Sequence, residues 1–190
     1  MSDYITRAQV DEAVALIRSR TQHQPEIGIV LGSGLGGFVE AMEQPDIIPF
    51  SEIPHFPVSS VMGHAGRVLI GRLEGRTVLV LQGRVHYYEG YSMGQVTFPI
   101  RLMQFLGIKI VILTNAAGGL NTTFKAGDVM LITDQINLIG MAGQNPLRGP
   151  NDESFGTRFP DMSEPFDAQL RSIALTVAAE NNIELRQGVY

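Results

Sequence analysis

Cysteine is absent from the 190 residues, which excludes disulfides, thiol nucleophiles and cysteine-ligated metals. Positive charge is scarce: 14 Lys and Arg against 19 Asp and Glu leave a net charge of −5. The electrostatic footprint of a nucleic-acid binder is therefore missing. An anionic ligand would have to be held by a local site, because the field of the whole chain does not attract it. No run approaches the ~18 apolar residues of a membrane span. The opening MSDYITRAQV carries neither a basic stretch nor an apolar one, so no secretory signal is visible. These absences lead to the expectation of a soluble, cytoplasmic protein with no nucleic-acid or membrane partner. Hydrophobic residues make up 44% and charged ones 17%, a globular composition. The length suits a single domain, residues 1–190, with a sizeable core. What is plentiful is glycine, 21 residues, above the average of about 7%. Glycine in excess marks places where backbone turns sharply or approaches a ligand.

The glycines gather where apolar runs end. Val78–Leu81 reads as a buried strand, and at Gln82 it opens into Gly83-Arg84-Val85-His86-Tyr87-Tyr88-Glu89-Gly90. In open α/β sheets the carboxyl ends of the strands are where ligands bind. Arg84 offers a planar fork suited to a carboxylate or phosphate. His86 adds a donor, and Glu89 is placed to fix its tautomer and orientation. A second strand, Glu26–Leu31, runs into Gly32-Ser33-Gly34-Leu35-Gly36-Gly37. This contains G-x-G-x-x-G, so a dinucleotide-binding oxidoreductase has to be considered. The context argues against it: the helix that follows, Phe38 to Gln44, stops at Pro45 and is short for a βαβ crossover. Glu52, at a ribose-binding distance, falls in a loop. A turn whose backbone N–H groups and Ser33 hydroxyl cradle an isolated phosphate fits better. A third strand, Lys109–Leu113, also read as buried, delivers Thr114-Asn115-Ala116-Ala117-Gly118-Gly119-Leu120-Asn121. Three strand ends of one type are a poor match to chance.

The remaining elements read as support. A helix is expected over Thr6–Arg20, with a Thr6/Gln9 capping box and a stripe of Val10, Ala13, Val14 and Ile17. Residues 46–65, with Pro49, Pro54 and Pro57, form an irregular connection with at most a short strand at Asp46–Phe50. His64, in a Gly-flanked loop, is placed to reach over a bound anion. Arg67–Leu73 and Thr77–Leu81 flank Glu74-Gly75-Arg76 as a hairpin. Tyr91–Leu106 has helical periodicity and a stop at Gly107, and Pro99 implies a start near Thr97 or a kink. A strand is expected at Asp128–Thr133, then a long connection from Asn137 to Pro160 that covers a site or a neighbouring subunit. Ser163 is expected to cap a last helix whose face carries Phe166, Leu170, Ile173 and Val177, before a strand beginning at Leu185. The expected class is α/β: a twisted mixed sheet flanked by helices.

Taken in order, GIVLGSGLGG, GHAGR, QGRVHYYEGY, TNAAGGLN, GDVMLITDQINL and GQNPLRGPNDESFGTRFP closely resemble the trimeric purine nucleoside phosphorylases, over nearly all of residues 26–162. The resemblance implies cleavage of inosine- and guanosine-type nucleosides by orthophosphate, a co-substrate, with no cofactor or metal, in a cytoplasmic homotrimer. It implies that Ser33, His64, Arg84, His86 and the Ala116 amide hold phosphate, and that Glu89 orients His86. Tyr88, Asn115, Ala117 and Gly118 would line the nucleoside site, with Phe159 lent by a neighbouring subunit. In the family an acid and an amide that hold the purine, and a second phosphate serine, lie further along than Tyr190. The resemblance therefore also implies that the C-terminal part of the family chain is missing here, and that the 190 residues alone turn over little or nothing. A 5′-methylthioadenosine phosphorylase is the nearest alternative, and a non-catalytic binding protein that keeps the anion site is a further one.

Overall fold

The computed structural model describes residues 4–58 and 65–190. Its contacts divide the chain into two units, Met1–Ala116 with Pro146–Phe155, and Ala117–Asn145 with Gly156–Tyr190.

The first unit is built on a five-stranded mixed sheet in the order β2-β3-β4-β1-β5. The strands are β1 (Ile27–Leu31), β2 (Glu43–Pro49), β3 (Arg67–Leu73), β4 (Arg76–Gln82) and β5 (Ile110–Leu113). β4, β1 and β5 run parallel, while β2 and β3 are antiparallel additions on one side. Alternation along each strand sorts side chains into two layers. Val30, Val68, Ile70, Leu79 and Leu81 pack with Val10, Ala13, Val14 and Ile17 of α1 (Arg7–Arg20) and Phe98, Leu102 and Met103 of α2 (Met93–Leu106). Their strand neighbours Ile29, Leu31, Leu69, Val78 and Val80 pack on the other face with Val39 and Met42. Each strand of the central three is thus buried on both faces, as its continuous apolar run predicts, but β5, read as buried for the same reason, is an edge strand whose Val111, Ile112 and Leu113 are exposed.

The local signals explain most of the boundaries. Thr6 and Gln9 form the expected capping box at the start of α1. Glu74 and Gly75 both have positive φ, 48° and 72°, the geometry of a two-residue hairpin loop that matches the twist of its strands. Two expectations need correction. The short α-helix expected at Phe38–Gln44 is a 3-10 helix over Gly36–Ala41, followed by the strand β2. β2 tolerates Pro45 and Pro49 because it is an edge strand. α2 does not start at Thr97: it starts at Met93 and runs through Pro99. Ser92 Oγ accepts from Gln95 N at 3.3 Å and Gln95 Oε1 from Ser92 N at 3.0 Å. That reciprocal cap, together with the fully buried Phe98, outweighs the proline's missing donor. Ser92→Ala is expected to cost about 1 kcal/mol, read as a lowered urea midpoint at constant slope. An unchanged midpoint would remove the cap from this account.

In the second unit β6 (Val129–Asp134) pairs in parallel with β7 (Leu185–Val189) as a two-stranded ladder. The unit also holds a single-turn helix, α3 (Leu138–Met141), and the longer α4 (Ala168–Glu180). The cap of α4 is Asp167, whose Oδ1 accepts from Leu170 N at 2.8 Å, and not Ser163. Ser163 instead bonds Asp161, through both its N–H and its hydroxyl, a local turn that competes with helix initiation. Leu170, Ile173 and Val177 do fall at helical spacing, but they are 38%, 58% and 48% exposed. Among the described residues no helix is long and apolar enough to cross a membrane.

Candidate active site

The parallel register brings three chain segments out at one level. Leu31 pairs with Gln82, and Val30 with Leu113. The segments that carry Ser33, Arg84 and Ala116 therefore begin at neighbouring carboxyl ends, those of β1, β4 and β5. The Gly-rich turn is held locally: Leu35 N donates to Gly32 O at 3.3 Å and Gly34 takes φ +86°.

Arg84 crosses above the end of β1 to reach the segment after β5. Its Nη1 donates to Thr114 O at 2.7 Å, and its Nε points to His86 Nε2 at 3.4 Å. These two contacts orient the guanidinium plane. His86 is held from behind by Glu89, whose Oε1 accepts from both His86 N at 2.8 Å and His86 Nδ1 at 2.9 Å. The Glu89 side chain is only 2% exposed. A carboxylate on Nδ1 assigns a proton to that nitrogen and turns Nε2 toward Arg84. The Tyr88 ring stacks on the imidazole at 4.8 Å with 16° between planes, and is itself 73% exposed.

The expected residues fall into three groups. Ser33, Arg84, His86, Tyr88, Glu89, Asn115 and Ala116 all lie in the first unit, at the strand ends just described. Ala117, Gly118 and Phe159 belong to the second unit, where Phe159 is 85% exposed. His64 lies outside the described residues. Among the described residues no group of three or more His, Cys, Asp or Glu is placed to hold a metal.

Two residues organise the site without having been singled out from the sequence. Thr114 Oγ1 accepts from Gly32 N at 2.9 Å and donates to Val30 O at 2.9 Å, tying the first and third segments together. A Cβ on Gly32 would stand 2.7 Å from Thr114 O and 2.8 Å from Asn115 Cα, so this approach requires glycine. Gln82 does the same on the other side: its Nε2 donates to Gly36 O at 2.7 Å and its Oε1 accepts from Arg67 Nε at 2.6 Å. The only sequence signal for either is a hydrogen-bonding side chain at or just past the end of an apolar strand.

A Gly-rich turn, a guanidinium and an oriented imidazole at the ends of adjacent parallel strands form a frame for a small anion. The chain matches the phosphorylase superfamily over residues 26–190. It belongs to that superfamily. Purine nucleoside phosphorylase 1 of Bacillus subtilis is 50% identical over 182 residues, 96% of this chain and 66% of the relative. The purine nucleoside phosphorylase of Rattus norvegicus is 47% identical over 192 residues, covering all of this chain and 66% of its own length. Among solved structures, isoform 2 of the Schistosoma mansoni purine nucleoside phosphorylase, in complex with cytosine and ribose-1-phosphate, superposes with a TM-score of 0.93. It is 40% identical and covers 100% of this chain and 67% of its own. The Schistosoma mansoni purine nucleoside phosphorylase in complex with adenosine gives 0.92 at 45% identity, with the same coverage. The superfamily member described here thus spans about two thirds of the length of the curated relatives it matches. The mixed α/β architecture expected from the sequence is the architecture of these neighbours.

Proposed function

We propose that this chain serves phosphorolysis of purine nucleosides: orthophosphate displaces the purine from C1′ of inosine- and guanosine-type nucleosides, giving free base and ribose 1-phosphate. The observation that carries the reading is the emergence of three loops from the neighbouring carboxyl ends of β1, β4 and β5, with Arg84 bonded across β1 to Thr114. The relatives' purine nucleoside phosphorylase names, and the neighbour bound to ribose-1-phosphate, support it.

Phosphate is a modest nucleophile, and C1′ reacts through an oxocarbenium-like centre, as in glycoside hydrolysis. The chemistry therefore needs an anion held beneath C1′ in an environment that tolerates cationic sugar beside it. In this reading Ser33, Arg84, His86 and the Ala116 amide hold the phosphate, with His64 beside them. Glu89 fixes His86 in its orientation. Tyr88, Asn115, Ala117 and Gly118 meet the nucleoside, together with Phe159 from a neighbouring subunit of a homotrimer. Positioning of the bound nucleophile can supply on the order of 7–11 kcal/mol of the barrier, and preorganised donors stabilise charge without reorganisation. Orthophosphate is then a co-substrate, and no cofactor takes part. The two units are read as parts of one phosphorylase domain working in the cytoplasm.

Calorimetric titration of the folded chain with orthophosphate and with ribose 1-phosphate tests the reading, followed by an assay of hypoxanthine release from inosine with and without phosphate. Binding of both anions is expected, and any base release should require phosphate. A folded chain that binds neither anion overturns the proposal, and release from 5′-methylthioadenosine in preference to inosine would reassign the substrate.

A further inference from the structure

The segment that precedes Phe159 is fastened to the first unit by an aromatic clamp. Phe155 ends a short 3-10 turn, Glu153–Phe155, and its ring packs against the main core cluster. It meets Phe105 of α2 edge to face, with centroids 5.5 Å apart and 73° between planes. The Arg101 guanidinium lies over the Phe155 ring at 4.1 Å, and the Arg7 guanidinium over the Phe105 ring at 3.8 Å. Gln104 Nε2 donates to Phe155 O at 3.2 Å. Two cations and two rings from α1, α2 and the turn therefore form one cluster, in which each ring carries a guanidinium over one face. Burial lowers the pKa of Arg101, and the nearby Asp152 opposes that shift.

We propose that Phe155 is a positioning residue for nucleoside binding: it pins the Pro146–Phe155 segment to the α1–α2 face and so fixes the origin of the stretch that carries Phe159. This rests on the reading of Phe159 as a nucleoside-binding residue. Phe159 is four residues on, so its backbone stays within about 14 Å of the clamp even when fully extended. Without the clamp, the tether lengthens back toward Pro146, and the entropy of placing Phe159 rises with the length of free chain. Gly156, at φ +126°, redirects the chain immediately after the anchor. Among the described residues the clamp touches none of those assigned to phosphate, so its loss should separate the two ligands.

The test compares wild type, Phe155→Ala and Phe155→Tyr by titration with inosine and, separately, with orthophosphate, alongside the rate of tryptic cleavage after Arg158. Phe155→Ala is expected to raise the inosine Kd about tenfold, the equivalent of about 1.4 kcal/mol. Orthophosphate Kd should not change, cleavage after Arg158 should accelerate, and Phe155→Tyr should behave as wild type. Arg101→Gln, which leaves the ring packing in place, is the second variant should Phe155→Ala fail to fold, and it should shift both readouts in the same direction. Wild-type inosine affinity in the folded variants, or an unchanged cleavage rate, overturns the proposal. Failure of the underlying functional reading looks different: wild type binds neither ligand, while cleavage still responds to Phe155→Ala.

Discussion

Arg84→Ala is expected to weaken orthophosphate binding about 100-fold, the equivalent of roughly 2.7 kcal/mol for a lost charge-assisted contact. The guanidinium does two jobs at once. It supplies the cation of the proposed anion site, and through Nη1 it bonds Thr114 O at 2.7 Å, linking the segment after β4 to the segment after β5 over the end of β1. Arg84→Lys should recover only part of the loss. An ammonium is a point charge without the planar fork, so it cannot keep the Thr114 carbonyl, the His86 ring and an anion in fixed directions together. Titration calorimetry with orthophosphate decides the matter. Thermal unfolding measured in parallel separates lost affinity from lost structure. An orthophosphate Kd within twofold of wild type in Arg84→Ala would remove Arg84 from the site.

Gly32→Ala is expected to damage both stability and phosphate binding. The added methyl would stand 2.7 Å from Thr114 O and 2.8 Å from Asn115 Cα, and both are backbone atoms that cannot rotate away. Relief has to come from spreading β1 and β5 at their carboxyl ends, at a cost typical of overpacking, about 1–3 kcal/mol. The same spreading weakens the Thr114 hydroxyl bridge to Gly32 N and Val30 O and displaces the Asn115–Ala116 backbone. Gly34→Ala is the natural control. Nothing lies within 4 Å of the point its methyl would occupy, but φ is +86°, so the expected penalty is backbone strain of about 1 kcal/mol. Equal unfolding midpoints for Gly32→Ala and wild type would show that the two segments have more room than the geometry allows.

The sequence made the frame of the site legible because strand ends announce themselves by an abrupt change of character. Val78–Leu81 opening into Gly83-Arg84 and Glu26–Leu31 opening into Gly32-Ser33 are local events, and local events survive folding. The hairpin at Glu74-Gly75 and the cap at Thr6 were legible for the same reason. What stayed hidden depends on tertiary neighbours. Pro99 reads as a helix breaker in isolation, but the Ser92–Gln95 cap and the buried Phe98 carry α2 through it. Ser163 reads as a cap, but a nearer partner, Asp161, takes its N–H and its hydroxyl. Thr114 and Gln82 gain their importance from residues 82 and 46 positions away, a distance at which spacing carries no information. The clamp at Phe155 was equally invisible, since its ring is matched to Arg101 and Phe105 of α2, about 50 positions away.

β1 lies between β4 and β5 with its carboxyl end bridged overhead by Arg84. Its residue count is therefore as constrained as its hydrophobicity. Inserting or deleting one residue between Ile27 and Leu31 would exchange the two faces of the strand, sending Ile29 and Leu31 into the helix-packed layer and Val30 out of it. The same step would pull the Gly32-Ser33 turn off the Thr114 hydroxyl that holds Gly32 N. Natural length variation in this chain should accordingly spare both β1 and the Gly-rich turn after it, whose Gly36 carbonyl is held by Gln82.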